Sequence, residues 1–167
     1  MMYVDCSVLQ LSLDGAGTES LPIVMKANEK NPAESVVVRI LLVDDNPSVR
    51  HYLRAILEQQ TLWRVCGEAR TGAEALKKVV ESPPDLILLD YQMPDLNGVD
   101  IARQICKLFP KIPILMVTLH LSRQLADAAR SAGVRGACAK QDIGSVVEAV
   151  EVLLREQTYF PALPAGN

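Results

Sequence analysis

From Val36 onward the chain alternates two kinds of segment: short aliphatic runs, and longer stretches in which apolar residues recur every three or four positions. Val37 to Val43 (VVRILLV), Trp63 to Ala69 (WRVCGEA), Leu86 to Leu89 (LILL), Ile114 to Val117 (ILMV) and Gly136 to Ala139 (GACA) have the length and residue types of strands. The last run is weak by itself and takes its assignment from its place in the series. Between them lie helical stripes. Val49, Leu53, Ile56 and Leu57 form the first, with Asn46 as the natural cap and Pro47 where a first turn tolerates it. Thr71 and Glu74 have capping-box spacing and open a second that must end before Pro83 and Pro84. Val99, Ala102, Ile105, Cys106 and Phe109 form a third, stopped by Pro110. Leu121, Leu125, Ala128, Ala129 and Ala132 form a fourth, closed by Gly133, and Ile143, Val146, Val147, Val150 and Leu154 form the fifth.

This repeat predicts an α/β fold: a doubly wound, five-stranded parallel sheet with β-α repeated five times, right-handed crossovers and helices on both faces. Its ligand site must lie beyond the carboxyl ends of the strands, where strand order reverses. Asp44 and Asp45 follow the first run, Asp90 the third, Thr118 the fourth and Lys140 the fifth, so all five point toward one crevice. Such a set suits the handling of phosphate. Each member also has a plain reading. Paired acids after a strand cap helices, a strand-end aspartate is often merely exposed, a threonine hydroxyl bonds backbone, and a lysine is a solvated surface amine. Both carboxylates of the pair can reach one ion only because the chain leaves the strand there, since successive strand side chains face opposite ways. With Asp90 they would make a hard, oxygen-rich pocket suited to Mg²⁺.

Composition narrows the setting. The 167 residues suffice for one domain and an extension; 49% are apolar and only 4% aromatic, so the core must be aliphatic. A net charge of -3 supplies no field for nucleic acid or an anionic membrane. Cys6, Cys66, Cys106 and Cys138 show no Cys-x-x-Cys spacing and read as buried free thiols. Met1 to Leu13 has no basic residue and no long apolar run, and no segment reaches transmembrane length, so a cytoplasmic protein is expected.

The strings LLVDDN, LILLDYQMPDLNG, ILMVT and the lysine of GACAK, over about Val37 to Arg155, resemble the receiver domain of bacterial two-component response regulators, which has a flavodoxin-like fold. The resemblance implies that Asp90 accepts a phosphoryl group from the phosphohistidine of a sensor histidine kinase or phosphotransfer protein. It implies Mg²⁺ held by Asp44, Asp45, Asp90 and the backbone carbonyl of Gln92, with Lys140 and Thr118 engaging the phosphoryl oxygens. Output would then be protein contact with a downstream target, or a homodimer, through the fourth helix, fifth strand and fifth helix near Leu125, Ala129, Arg135 and Val146. The only catalysis expected is self-phosphorylation from a donor and slow dephosphorylation. Met93-Pro94-Asp95-Leu96-Asn97-Gly98 is the turn beside Asp90, where Pro94 fixes φ and Asn97 and Gly98 tolerate left-handed geometry.

Three positions depart from the family pattern. Ala137 stands where an aromatic ring commonly turns inward on phosphorylation, Leu119 stands where a small residue is common, and Gln141 replaces a proline often preceded by a cis bond. A cis bond without proline would cost about 3 kcal/mol, leaving either a trans bond or stored strain. Gln92 and His120 occupy positions that tune phosphate lifetime in the family, although His120 reads equally as a solvated loop histidine. The domain plan is a flexible extension over 1–35, a receiver over 36–156 and a tail over 157–167 (QTYFPALPAGN) similar to the linker that precedes a helix-turn-helix domain. No recognition helix follows, so direct DNA binding is not expected. Two rivals stay open: a haloacid-dehalogenase-type phosphatase, which needs a second acid where Gln92 stands, and a receiver fold acting as a constitutive binding module.

Overall fold

Alternation along the strands sorts the aliphatic residues to two faces and so dictates two cores. The computed structural model describes residues 36–162; the expectations for 1–35, including Cys6, and for 163–167 lie outside the described residues. Five strands, β1 (Val38–Val43), β2 (Trp63–Ala69), β3 (Leu86–Asp90), β4 (Ile114–Thr118) and β5 (Gly136–Ala139), alternate with α1 (Pro47–Leu57), α2 (Gly72–Glu81), α3 (Gly98–Leu108), α4 (Arg123–Ser131) and α5 (Ile143–Leu154). All pairings are parallel, in the order β2-β1-β3-β4-β5. The reversal of order between β1 and β3 opens the crevice above their carboxyl ends.

On one face Ile40, Leu42, Leu86, Leu88, Leu115 and Val117 pack against α1 and α5 through Leu53, Leu57, Val146, Val150 and Leu153. On the other, Leu41, Val43, Ile87, Leu89, Met116 and Ala137 meet α2, α3 and α4 through Val79, Ile101, Ile105, Leu125 and Ala129. Every residue of β3 and β4 is buried, as central parallel strands covered on both sides require.

The caps explain the helix starts. Asn46 accepts from the backbone N–H groups of Ser48 and Val49, and Thr71 accepts from that of Glu74. Glu74 reaches back one residue further than a capping box, to the N–H of Arg70. Gly133, with φ of 93°, ends α4 in the left-handed region where a Cβ is penalised.

One expectation is corrected, and one turn is more specific than its sequence. Cys66 is exposed on the edge strand β2, where the register with β1 skips it between the pairs Ile40–Val65 and Leu41–Gly67, whereas Cys138 is buried and its thiol is pushed by burial to about 12. Asn97 and Gly98 could tolerate left-handed geometry but do not adopt it. Asn97 is extended, with φ of -70°, and caps α3 by accepting from Asp100 N–H. Gly98 is required by proximity instead: a Cβ there would lie 2.3 Å from the carbonyl oxygen of Asp90.

Candidate functional site

β3 and β4 each run one residue further than their aliphatic runs, so Asp90 and Thr118 are the last residues of central strands rather than the first of loops. Both are buried, as is Asp44, while Asp45 is exposed. The register places Asp90 beside Val117 and Thr118 beside Ala139, and the N–H of Lys140 donates to the carbonyl of Thr118 at 2.8 Å. This ladder brings Lys140 over the crevice. Its Nζ lies 2.5 Å from Asp44 Oδ2 and 2.8 Å from Asp90 Oδ2.

The electrostatics follow from burial. Burial pushes the Asp90 carboxyl above its usual range and the Asp44 charge adds to this, while Lys140 and the Gln92 backbone N–H pull against it. Burial alone would lower the Lys140 ammonium, but the bonds to Asp44 and Asp90 outweigh it and hold it up. Asp44, Asp45 and Asp90 each bring a carboxylate oxygen to within 4.8 Å of the others. Three carboxylates against one ammonium leave the cluster net negative. An all-oxygen set this close, with one exposed member, has the chemistry of a site for a hard divalent cation.

Asp44, Asp45, Asp90 and Lys140 therefore meet at one crevice, with Thr118 buried at the end of the adjacent strand. Gln92 is exposed at its edge, and the Lys140-Gln141 peptide is trans. Gln141 does something the sequence did not suggest: its Nε2 donates to the carbonyl of Leu119 at 3.0 Å, tying the β5-α5 loop to the β4-α4 loop. His120 is exposed and its N–H approaches Thr118 Oγ1 at 3.4 Å. Leu125, Ala129 and Val146, expected at a partner face, point into the core instead; their helical stripe is the buried one.

Two supports escaped sequence reasoning. Arg50 is buried; its Nη1 donates to the carbonyls of Asp44 at 2.8 Å and Asp45 at 3.1 Å, and its Nε to Glu68 at 2.9 Å. The signal was present, since Arg50 lies three and seven residues before Leu53 and Leu57, a cation on the buried stripe. Asp95 accepts from the N–H groups of Gly72 at 3.0 Å and Ala73 at 3.1 Å, pinning the loop after β3 to the start of α2. Those amides hold its carboxyl below the usual range.

A doubly wound sheet of this order, carrying a strand-end aspartate, an acid pair and a lysine in its crevice, defines a CheY-like receiver fold. The family model of the response regulator receiver domain matches residues 40–151, and the chain belongs to that family. It is 32% identical over 126 residues to the response regulator protein VraR of Staphylococcus saprophyticus, covering 75% of this chain and 60% of that one. It is 40% identical over 91 residues to a protein-glutamate methylesterase/protein-glutamine glutaminase of Pyrococcus horikoshii, covering 54% of this chain and 24% of that one. The chain thus spans less than two thirds of the length of either relative. Among solved structures, a two-component response regulator of the LuxR family from Aurantimonas sp. SI85-9A1 superposes with a TM-score of 0.72 at 31% identity, covering 74% of this chain and 89% of that one. The response regulator domain of Thermotoga maritima CheB gives 0.65 at 29%, covering 72% and 95%. Among the described residues no helix is long and apolar enough to cross a membrane.

Proposed function

We propose that this chain is a phosphorylation-controlled receiver in which Asp90 accepts a phosphoryl group from the phosphohistidine of a sensor kinase or phosphotransfer protein in the cytoplasm. The observation that carries the reading is the half-buried Lys140 ammonium held between Asp44 and Asp90 beside a third carboxylate. An Asp90 carboxylate oxygen forms the bond to phosphorus as the bond from phosphorus to the donor imidazole nitrogen breaks, and the electron pair stays on the imidazole. Asp44, Asp45, Asp90 and the Gln92 carbonyl would hold Mg²⁺. The ion supplies charge neutralisation between the anionic carboxylate and the incoming phosphate.

The remaining work belongs to the chain. Lys140 is within reach of Asp90 and can exchange a carboxylate oxygen for a phosphoryl oxygen without crossing the crevice. The Thr118 hydroxyl, buried at the end of the adjacent strand, can donate to another phosphoryl oxygen by rotation about its side-chain bond. Drawing Thr118 inward moves the loop that follows it, and changed protein contacts, with a downstream target or a second copy, are the output. Gln92 carries no carboxylate, which leaves a phosphatase without its second acid.

Incubation with Mg²⁺ and acetyl phosphate, followed by intact mass measurement, tests the reading. A gain of one phosphoryl group that Asp90→Ala abolishes is expected. Failure to gain it, from acetyl phosphate and from a cognate kinase alike, would leave a constitutive binding module. Turnover of general phosphomonoesters would point to a phosphatase.

A further inference from the structure

The peptide after α5 turns back on the domain at Glu156, whose φ is 62°, and runs beside β5, the free edge of the sheet. Tyr159 N–H donates to the carbonyl of Arg135 at 3.0 Å and Ala137 N–H to the carbonyl of Tyr159 at 2.8 Å, making a parallel bridge with Gly136. Tyr159 and Phe160, being adjacent, face opposite ways. Tyr159 packs on the core under α1 and α5, and its hydroxyl donates to Glu148 at 3.1 Å. Phe160 packs on the other core, the one containing Ala137, with the Arg130 guanidinium 4.2 Å above its ring. Pro161 then offers no N–H, so the pairing stops.

β5 is built to receive this segment. A Cβ at Gly136 would lie 2.9 Å from Leu153, 3.1 Å from Leu115 and 3.1 Å from the Tyr159 carbonyl. Ala137 puts only a methyl group on the α4 side, leaving that side open to the Phe160 ring. Between the segment and the phosphoacceptor crevice lies a cavity of about 460 Å³. Leu119, His120 and Leu121 form one wall, Tyr159 and Pro161 another, with Cys138 and Ala139 beneath. The first wall is the loop that begins at Thr118 and is tied to Gln141.

We propose that the β5 edge and the adjoining face of α4 are a docking surface for an extended aromatic segment, occupied by residues 158–162 of this chain, and that loading of Asp90 releases it. The proposal rests on the receiver reading above. When Thr118 turns toward a phosphoryl group its hydroxyl gives up the His120 N–H and carries Leu119 to Leu121 toward the crevice. The cavity wall facing Tyr159 and Pro161 shifts, and the segment, held by two backbone hydrogen bonds, the Tyr159–Glu148 bond and the packing of Tyr159 and Phe160, is loosened from β5. The chain's exit from the domain is then freed, and the β5 edge is bared for another strand.

Amide exchange of the full chain tests this at Ala137 and Tyr159, whose N–H groups span the junction, with Mg²⁺ alone and with Mg²⁺ plus beryllofluoride as a stand-in for the phosphoryl group. Exchange at both should quicken at least tenfold on loading while Leu41 in β1 is unchanged, and Asp90→Asn should not respond. Phe160→Ala should exchange quickly at Tyr159 without beryllofluoride. If fluorine resonance shows beryllofluoride bound and Tyr159 protection is unchanged or raised, the release is refuted while the receiver reading stands. Parent-like protection in Phe160→Ala also overturns the docking, and absence of beryllofluoride binding overturns both readings.

Discussion

Replacing Arg50 by Met keeps most of the side-chain volume in a buried site but removes three donated hydrogen bonds, two to the carbonyls of the acid pair and one to Glu68. Hydrogen bonds to a charged group are worth about 1.5–3 kcal/mol each. The loss is smaller than their sum. Glu68 keeps Arg54, at 2.9 and 2.7 Å, so no carboxylate is stranded, and Asp45 is exposed enough for water to replace its lost partner. A destabilisation of about 2–4 kcal/mol follows, the lower end of what breaking a buried charged contact costs. Trp63, the single tryptophan, is buried and reports unfolding in urea by fluorescence. Stability alone would not separate a structural arginine from one that places the acid pair, so Mg²⁺ titration by calorimetry is the second readout. Support groups behind metal ligands typically matter about 10–100-fold in affinity. Arg50→Met should weaken Mg²⁺ binding about tenfold, whereas Arg54→Met, which touches Glu68 but neither acid-pair carbonyl, should leave it unchanged. Equal Mg²⁺ affinity in the two variants would refute the reasoning.

Burial raises the Asp90 carboxyl in the folded protein, so the fold prefers it protonated; its contribution is complete below the ordinary carboxylate range and lost as pH rises through the raised value. Without Mg²⁺, Asp90→Asn should therefore be more stable than the parent at pH 7 in urea unfolding and should flatten the pH dependence above pH 4; a less stable variant contradicts the sign. Gly98→Ala would press a methyl group onto the Asp90 carbonyl at 2.3 Å, a backbone atom that cannot rotate aside, and should cost about 1–3 kcal/mol with reduced Mg²⁺ affinity. Parent-like stability would show that the β3-α3 loop shifts freely. Leu119, half-exposed beside Thr118, should slow water's approach to an aspartyl phosphate, so Leu119→Ala should shorten the phosphate's lifetime in a dephosphorylation time course. An unchanged lifetime removes that role.

The apolar period and the order of polar strand-end residues were enough to read the sheet, its helices and the meeting of Asp44, Asp45, Asp90 and Lys140 beside the strand that ends in Thr118. These are local properties. A run such as LILL declares itself within a few residues, and parallel strands bring their carboxyl ends together whatever their side chains are. What the tertiary structure decided depends on reach between elements distant in sequence. Arg50 becomes a support for the acid pair only once α1 lies on the sheet, and Asp95 caps α2 from 23 residues away. Gly98 is required by a neighbour's carbonyl, where its own sequence suggested a turn. The segment at Tyr159 and Phe160 has no strand pattern, because its partner is the open edge of β5 and the space beside Ala137, and neither exists until the sheet is assembled.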